Sequence, residues 1–127
     1  MPFYGNQVSY SRTYSIDDNS GKFFVHLGSW KGSVAEVWVN GSNAGTIGWM
    51  PEQLEISGLI KKGDNVIEIR VTGSLKNTLG YHHVVQTGWI DSPFSWNQGP
   101  EKQPAGDAYQ FLDYGLYEAF KLTRINP

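Results

Sequence analysis

His82 and His83 are the most versatile adjacent pair in the chain, since imidazole carries protons near neutrality and is a common metal ligand. Neighbouring side chains on an extended backbone point to opposite sides, so the two rings do not readily share one ion, and His26 lies far away in sequence. A structural or hydrogen-bonding role is the expectation for both. Carboxylates offer a second chemistry. Hydrolysis of a glycosidic bond needs two of them about 5 to 10 Å apart, one kept protonated. Glu36, Glu68 and Glu118 alternate with apolar neighbours and read as solvated strand faces. Catalysis would require Asp91, Glu101, Asp107 or Asp113 to converge, and nothing in their spacing indicates that. Asp17-Asp18-Asn19-Ser20-Gly21 supplies oxygens suited to calcium, but it lacks the EF-hand spacing and closing glutamate. It reads first as a polar hairpin turn, with one structural calcium ion as the alternative; no other cofactor is expected.

The five tryptophans support a different chemistry. A pyranose ring presents an apolar C–H face that stacks on an aromatic plane, while its hydroxyls need amides, imidazoles or carboxylates. Trp89, Trp96-Asn97-Gln98, Tyr81, and Trp30 in the turn Gly28 to Gly32 meet that description. Trp38 lies opposite the face carrying Val37 and Val39, and Trp49 precedes Pro51, so both read as packing aromatics.

Positioning these groups requires a rigid frame, and the frame is all-β. Fifteen glycines and 14% aromatic residues favour short strands and tight turns. Apolar residues alternate in short runs: Val8, Tyr10, Tyr14 and Ile16, with Arg12 interrupting the face; Phe23, Val25 and Leu27; Ala35, Val37 and Val39; Ile67, Ile69 and Val71. Asn40-Gly41 predicts a type I′ hairpin, and Lys61 to Asn65 a second polar turn. From Gly73 to Gly106 the alternation lapses into a stretch holding Pro93, Pro100, Pro104 and most of the candidate aromatics. Loops of that length are usually functional or disordered, and the aromatic content argues against disorder. Alternation resumes at Tyr109 to Leu112 and again at Tyr117 to Arg124, giving seven or eight strands, enough for a sandwich or jelly roll.

At 127 residues the chain fits one core, so residues 1–127 are expected to form a single domain. The formal charge of −2 provides no basic field for a phosphate backbone, so no nucleic-acid partner is expected. No apolar run is long enough to span a bilayer, so no membrane partner is expected either. The absence of cysteine excludes disulfides. Met1 to Gly5 lacks the basic and apolar regions of a signal peptide and suggests a domain excised from a larger protein.

The string Ala35-Glu36-Val37-Trp38-Val39-Asn40-Gly41, followed by Gly45, Trp49-Met50-Pro51, Leu54-Glu55-Ile56 and Gly63 to Ile69, resembles the sugar-binding-like domains of family 2 glycoside hydrolases. Ser74 to His83 and Tyr114-Gly115-Leu116 are similar to segments of the C-terminal jelly rolls of rhamnosidase-like enzymes. Together they cover roughly Val8 to Leu122 and imply a galactose-binding-like β-sandwich of jelly-roll type. The resemblance further implies an accessory domain whose catalytic glutamates belong to a separate barrel, and it draws Asn77 and His82 into the candidate sugar site. The expected function is a non-catalytic carbohydrate-binding module, with a polysaccharide or oligosaccharide and the parent catalytic domain as partners. Two alternatives stand beside it: a structural domain that packs on the catalytic domain without a sugar site, and a small polysaccharide-degrading enzyme using His83 with an acid. A secreted, periplasmic or cell-surface location follows from the parent enzyme.

Overall fold

A strand buried on one face alternates apolar and polar side chains, and the run from Gly63 shows what such a pattern builds. In the computed structural model, which describes residues 6–79, 102, 105, 109 and 111–127, this run is β7 (Gly63–Thr72). Asn65, Ile67, Ile69 and Val71 on its inner face are fully buried. Before it come β1 (Gln7–Ile16), β2 (Lys22–His26), β3 (Trp30–Lys31), β4 (Val34–Val39), β5 (Ser42–Ile47) and β6 (Gln53–Glu55). A 3-10 turn (Ser57–Leu59) between β6 and β7, a single helical turn, α1 (Lys76–Leu79), then β8 (Gly115–Leu116) and β9 (Lys121–Ile125) complete the described elements.

The strands form a four-stranded sheet in the order β1-β7-β4-β5, a three-stranded sheet β6-β2-β9 and the pair β3-β8. All pairings are antiparallel. Val37 of β4 and Tyr10 of β1 both stand opposite Ile69, so the central strand receives apolar neighbours on both sides. Phe23 and Val25 of the second sheet close over Val37, Ile67 and Ile69 in one core, which makes the molecule a β-sandwich. Burying each such side chain stabilises the fold by about 1.5 to 3 kcal/mol before chain entropy is counted.

The Asn40-Gly41 expectation holds: both residues have positive φ, 50° and 83°, and Val39 pairs with Ser42 across a two-residue loop. Other boundaries moved. Trp30, read as a turn residue, lies in a short strand against Leu116. The alternation at Tyr109 to Leu112 yields no strand in its described residues, and the first pairing after them is at Gly115. Tyr117 to Phe120 also leaves the ladder, because the Tyr117 and Glu118 amides both donate to the Ser29 carbonyl and turn the chain there. Gly115 has φ +127°, and a Cβ at this position would run into the Tyr10 hydroxyl, so the chain can pass there only as glycine.

Asn65 is a turn residue by composition and a core residue by register, being in phase with Ile67. Its Nδ2 donates to the carbonyls of Lys61 (2.7 Å) and Gly63 (2.9 Å), while Oδ1 accepts from the Lys61 amide (2.9 Å) and Asn40 Nδ2 (3.0 Å). Asn40 returns the link by accepting from the Val66 amide and donating to the Leu59 carbonyl. One buried amide thus fastens the turn before β7 to the hairpin between β4 and β5.

Candidate functional site

Chain leaving the four-stranded sheet after Thr72 turns through Gly73 and Ser74 into α1, and Asn77 on that turn is only 4% exposed. Its side chain has a non-local partner. Nδ2 donates to the Leu112 carbonyl at 2.7 Å and Oδ1 accepts the Leu112 amide at 2.8 Å. The two residues are 35 positions apart, so this amide pair clamps together the two ends of the segment richest in candidate aromatics. Three residues beyond the clamp, Gly115 and Leu116 pair with Lys31 and Trp30. Ser33, next along, donates its amide to the Thr72 carbonyl and its hydroxyl to the Gly73 carbonyl. Trp30, Asn77 and both roots of the segment therefore share one end of the sandwich.

Trp30 is partly exposed, packs against the core and has its indole N–H enclosed, with no hydrogen-bond partner among the described residues. Buried donors are nearly always satisfied, so this N–H is an exception among the described residues. Tyr81, His82, Trp89, Trp96 and Asn97, the remaining candidate sugar contacts, lie outside the described residues.

The Asp17 to Gly21 segment is a turn organised by Asp18. Its carboxylate accepts from the Ser20 amide (2.9 Å) and hydroxyl (2.8 Å) and pairs with Arg124. The Ser20 amide, the Arg124 guanidinium and the Ser20 hydroxyl lower the Asp18 pKa from 3.8 to about 2. No group of three His, Cys, Asp or Glu side chains among the described residues is placed to hold a metal ion. Because the folded pKa lies below the unfolded one, Asp18 contributes stability above about pH 4 that is lost as pH falls toward 2. Asp18→Asn is therefore expected to lower the urea midpoint at pH 7, the two proteins converging at pH 2. An equal difference at both pH values would show that the charge is irrelevant.

The outer face of the four-stranded sheet carries the other ordered polar cluster. Arg70 stacks over Trp38, 4.0 Å from the ring centroid, and its guanidinium meets Glu68 at 2.8 and 3.1 Å. Glu36 accepts from Gln7 Nε2 at 3.0 Å and Trp38 Nε1 at 3.4 Å. Trp38 thus covers a sheet face, as its phase implied. Arg70 and then the Ser9 hydroxyl hold the Glu68 carboxyl below its usual range, whereas a glycosidic acid needs the opposite shift.

Trp49 departs from the sequence expectation. It lies two residues past the end of β5 and is 84% exposed, and Met50 beside it is 75% exposed, so this pair is not packing but projecting. The Met50–Pro51 bond is cis. Among the described residues, no helix is long and apolar enough to cross a membrane.

No known family profile matches the chain. A protein of Formosa agariphila described as a β-glucuronidase is 30% identical over 83 residues, covering 62% of this chain and 7% of that protein. Among solved structures, a rhamnosidase from Novosphingobium sp. PP1Y superposes with a TM-score of 0.63 at 24% identity, over 94% of this chain and 11% of that one. An FMN-binding β-glucuronidase from Faecalibacterium prausnitzii L2-6 gives 0.51 at 21% identity, over 91% and 15%. The chain thus shares its β fold with small portions of much larger glycoside hydrolases, spanning well under a fifth of each relative.

Proposed function

We propose that this chain is a non-catalytic accessory domain of a glycoside hydrolase that binds a polysaccharide or oligosaccharide through the aromatics between Asn77 and Leu112. The observation that supports this reading is the Asn77–Leu112 clamp, which brings the two roots of the segment between them to the end of the sandwich that holds Trp30; Trp89 and Trp96 belong to that segment by sequence. Loops tied at the root to a rigid sheet are where binding residues concentrate. Trp30 would supply an aromatic plane, Asn77 the positioning of the return limb, and Tyr81, His82 and Asn97 the hydroxyl contacts. Residues 1–127 would form one domain of a secreted, periplasmic or surface enzyme, with the catalytic carboxylates elsewhere in that enzyme.

Affinity electrophoresis through gels containing individual plant and bacterial polysaccharides tests the proposal, with and without calcium or chelator. Retardation in one gel identifies the ligand class, and sensitivity to chelator would add a metal. Free mobility across a broad panel would end the binding-module reading.

A second reading, docking on the parent catalytic domain, is favoured by the projecting Trp49 and Met50. Aromatic anchors of this kind dominate interfaces. Trp49→Ala should change the stability of the isolated chain by less than about 0.5 kcal/mol. When the variant is co-expressed with the catalytic domain, it should weaken their association by about tenfold or more. Unaltered association would remove Trp49 from any such contact.

A further inference from the structure

Arg12 stands at a register position that belongs to the core. It shares the inner phase of β1 with Tyr10 and Tyr14 and lies opposite Ile67, yet it is exposed. The cause is the layout of the two sheets. β1 is an edge strand, and the chain opposite it from Tyr117 to Phe120 has left the ladder, so the sandwich stays open along this flank. A groove of about 300 Å³ occupies the opening, walled by Tyr10, Arg12, Leu116, Tyr117, Glu118 and Phe120. It lies between β1 and the segment after β8, on different residues from the candidate loop aromatics.

The charge in this groove is unbalanced in a specific way. The Arg12 guanidinium lies 5.1 Å from the Tyr14 ring centroid, and among the described residues it has no carboxylate partner. Lys31 places a second cation 5.2 Å from the ring centroid of Tyr117, a residue of the wall, though Asp113 stands 4.0 Å from it. Among the described residues Glu118 is the one acid in the wall, and its side chain lies against Gly28. A guanidinium fork with no partner matches a carboxylate in two parallel hydrogen bonds. Tyr117, 52% exposed, offers a ring face for an apolar C–H surface, while the Tyr10 hydroxyl and Glu118 can meet hydroxyl groups. A volume near the lower end of ligand pockets suits one or two rings, not a long chain.

We propose that this lateral groove is a second saccharide site, selective for a sugar that carries a carboxylate, with Arg12 as the carboxylate receptor and Tyr117 as the stacking plane. It goes beyond the loop site and does not depend on it. An acidic peptide shares the carboxylate but not the rigid ring with an apolar face, so it fits the tyrosine wall less well.

The test is an NMR titration of amide signals in the 127-residue chain with D-glucuronate, D-galacturonate, glucose and a tetraglutamate peptide at matched ionic strength. A uronate should shift the amides of Ser11 to Thr13 and Tyr117 to Phe120 saturably, at least about tenfold more tightly than glucose, as a charge-assisted pair allows. Arg12→Gln should bring uronate down to the level of glucose and Arg12→Lys should fall between. Arg12 is exposed, so both variants should give the spectrum of a folded chain. The same shifts should persist in a Trp89→Ala, Trp96→Ala double variant, which separates this groove from the loop. Equal affinity for uronate and glucose, indifference to Arg12→Gln, shifts confined to other residues, or tetraglutamate binding as tightly as uronate would each overturn the proposal.

Discussion

Asn65→Ala is expected to lower the unfolding free energy by about 3 kcal/mol, because four hydrogen bonds vanish and the Lys61 and Gly63 groups that made three of them are left facing a closed space. Single domains have only about 5 to 15 kcal/mol in total, so the loss is a large share. Asn65→Leu tests the cause. A side chain of suitable bulk restores apolar contact but not the turn, so it should remain destabilised by about 2 kcal/mol or more. Urea titration at pH 7 measures both. A leucine variant as stable as the parent would mean that the position needs volume and not an amide.

The second large effect concerns ligand retention. Under the proposed function, Trp89→Ala and Trp96→Ala each abolish retardation in the gel that slows the parent chain, since affinities expected between millimolar and micromolar leave little to spare. Loss of one stacked aromatic costs about 2 kcal/mol, roughly thirtyfold. Trp38→Ala is the control: it disrupts the stack with Arg70 on the outer sheet face, so retention should survive it while stability falls modestly. If retention survives both loop substitutions, the assignment of those tryptophans fails even where the polysaccharide is bound.

Local patterns carried most of the frame. Ile67, Ile69 and Val71 announce β7 by alternation, and Asn40-Gly41 announces its hairpin, because both depend on backbone geometry within a few residues. Asn65 was hidden by its own chemistry. Composition places it in a turn, and only its phase with Ile67 signals that it must be buried. Trp49 was misread because exposure depends on what the rest of the fold brings near, and nothing local distinguishes a projecting indole from a packed one. Arg12 was visible as an interruption of an apolar face, but the groove it lines exists only once β1 is an edge strand.

The candidate site divides in the same manner. The aromatic content of the stretch after Gly73 is legible, and so is its need for anchorage. The anchor itself, Asn77 on Leu112, joins positions too distant for periodicity to connect. Trp30 could be singled out as an aromatic between glycines, whereas its pairing with Leu116 could not.

The amide clamp bears on how such a domain can acquire a new specificity. Asn77 ties the return limb at Leu112, so the clamp itself asks only that the intervening chain begin and end at one place. The entropy of closing such a segment grows slowly, by about 0.6 kcal/mol for each doubling of length. As far as closure entropy goes, insertions and deletions between those two residues are thus cheap, provided the asparagine is kept. Under the proposed function the stretch is expected to act as an exchangeable cassette, so that varying it changes what such a domain holds while the core is kept.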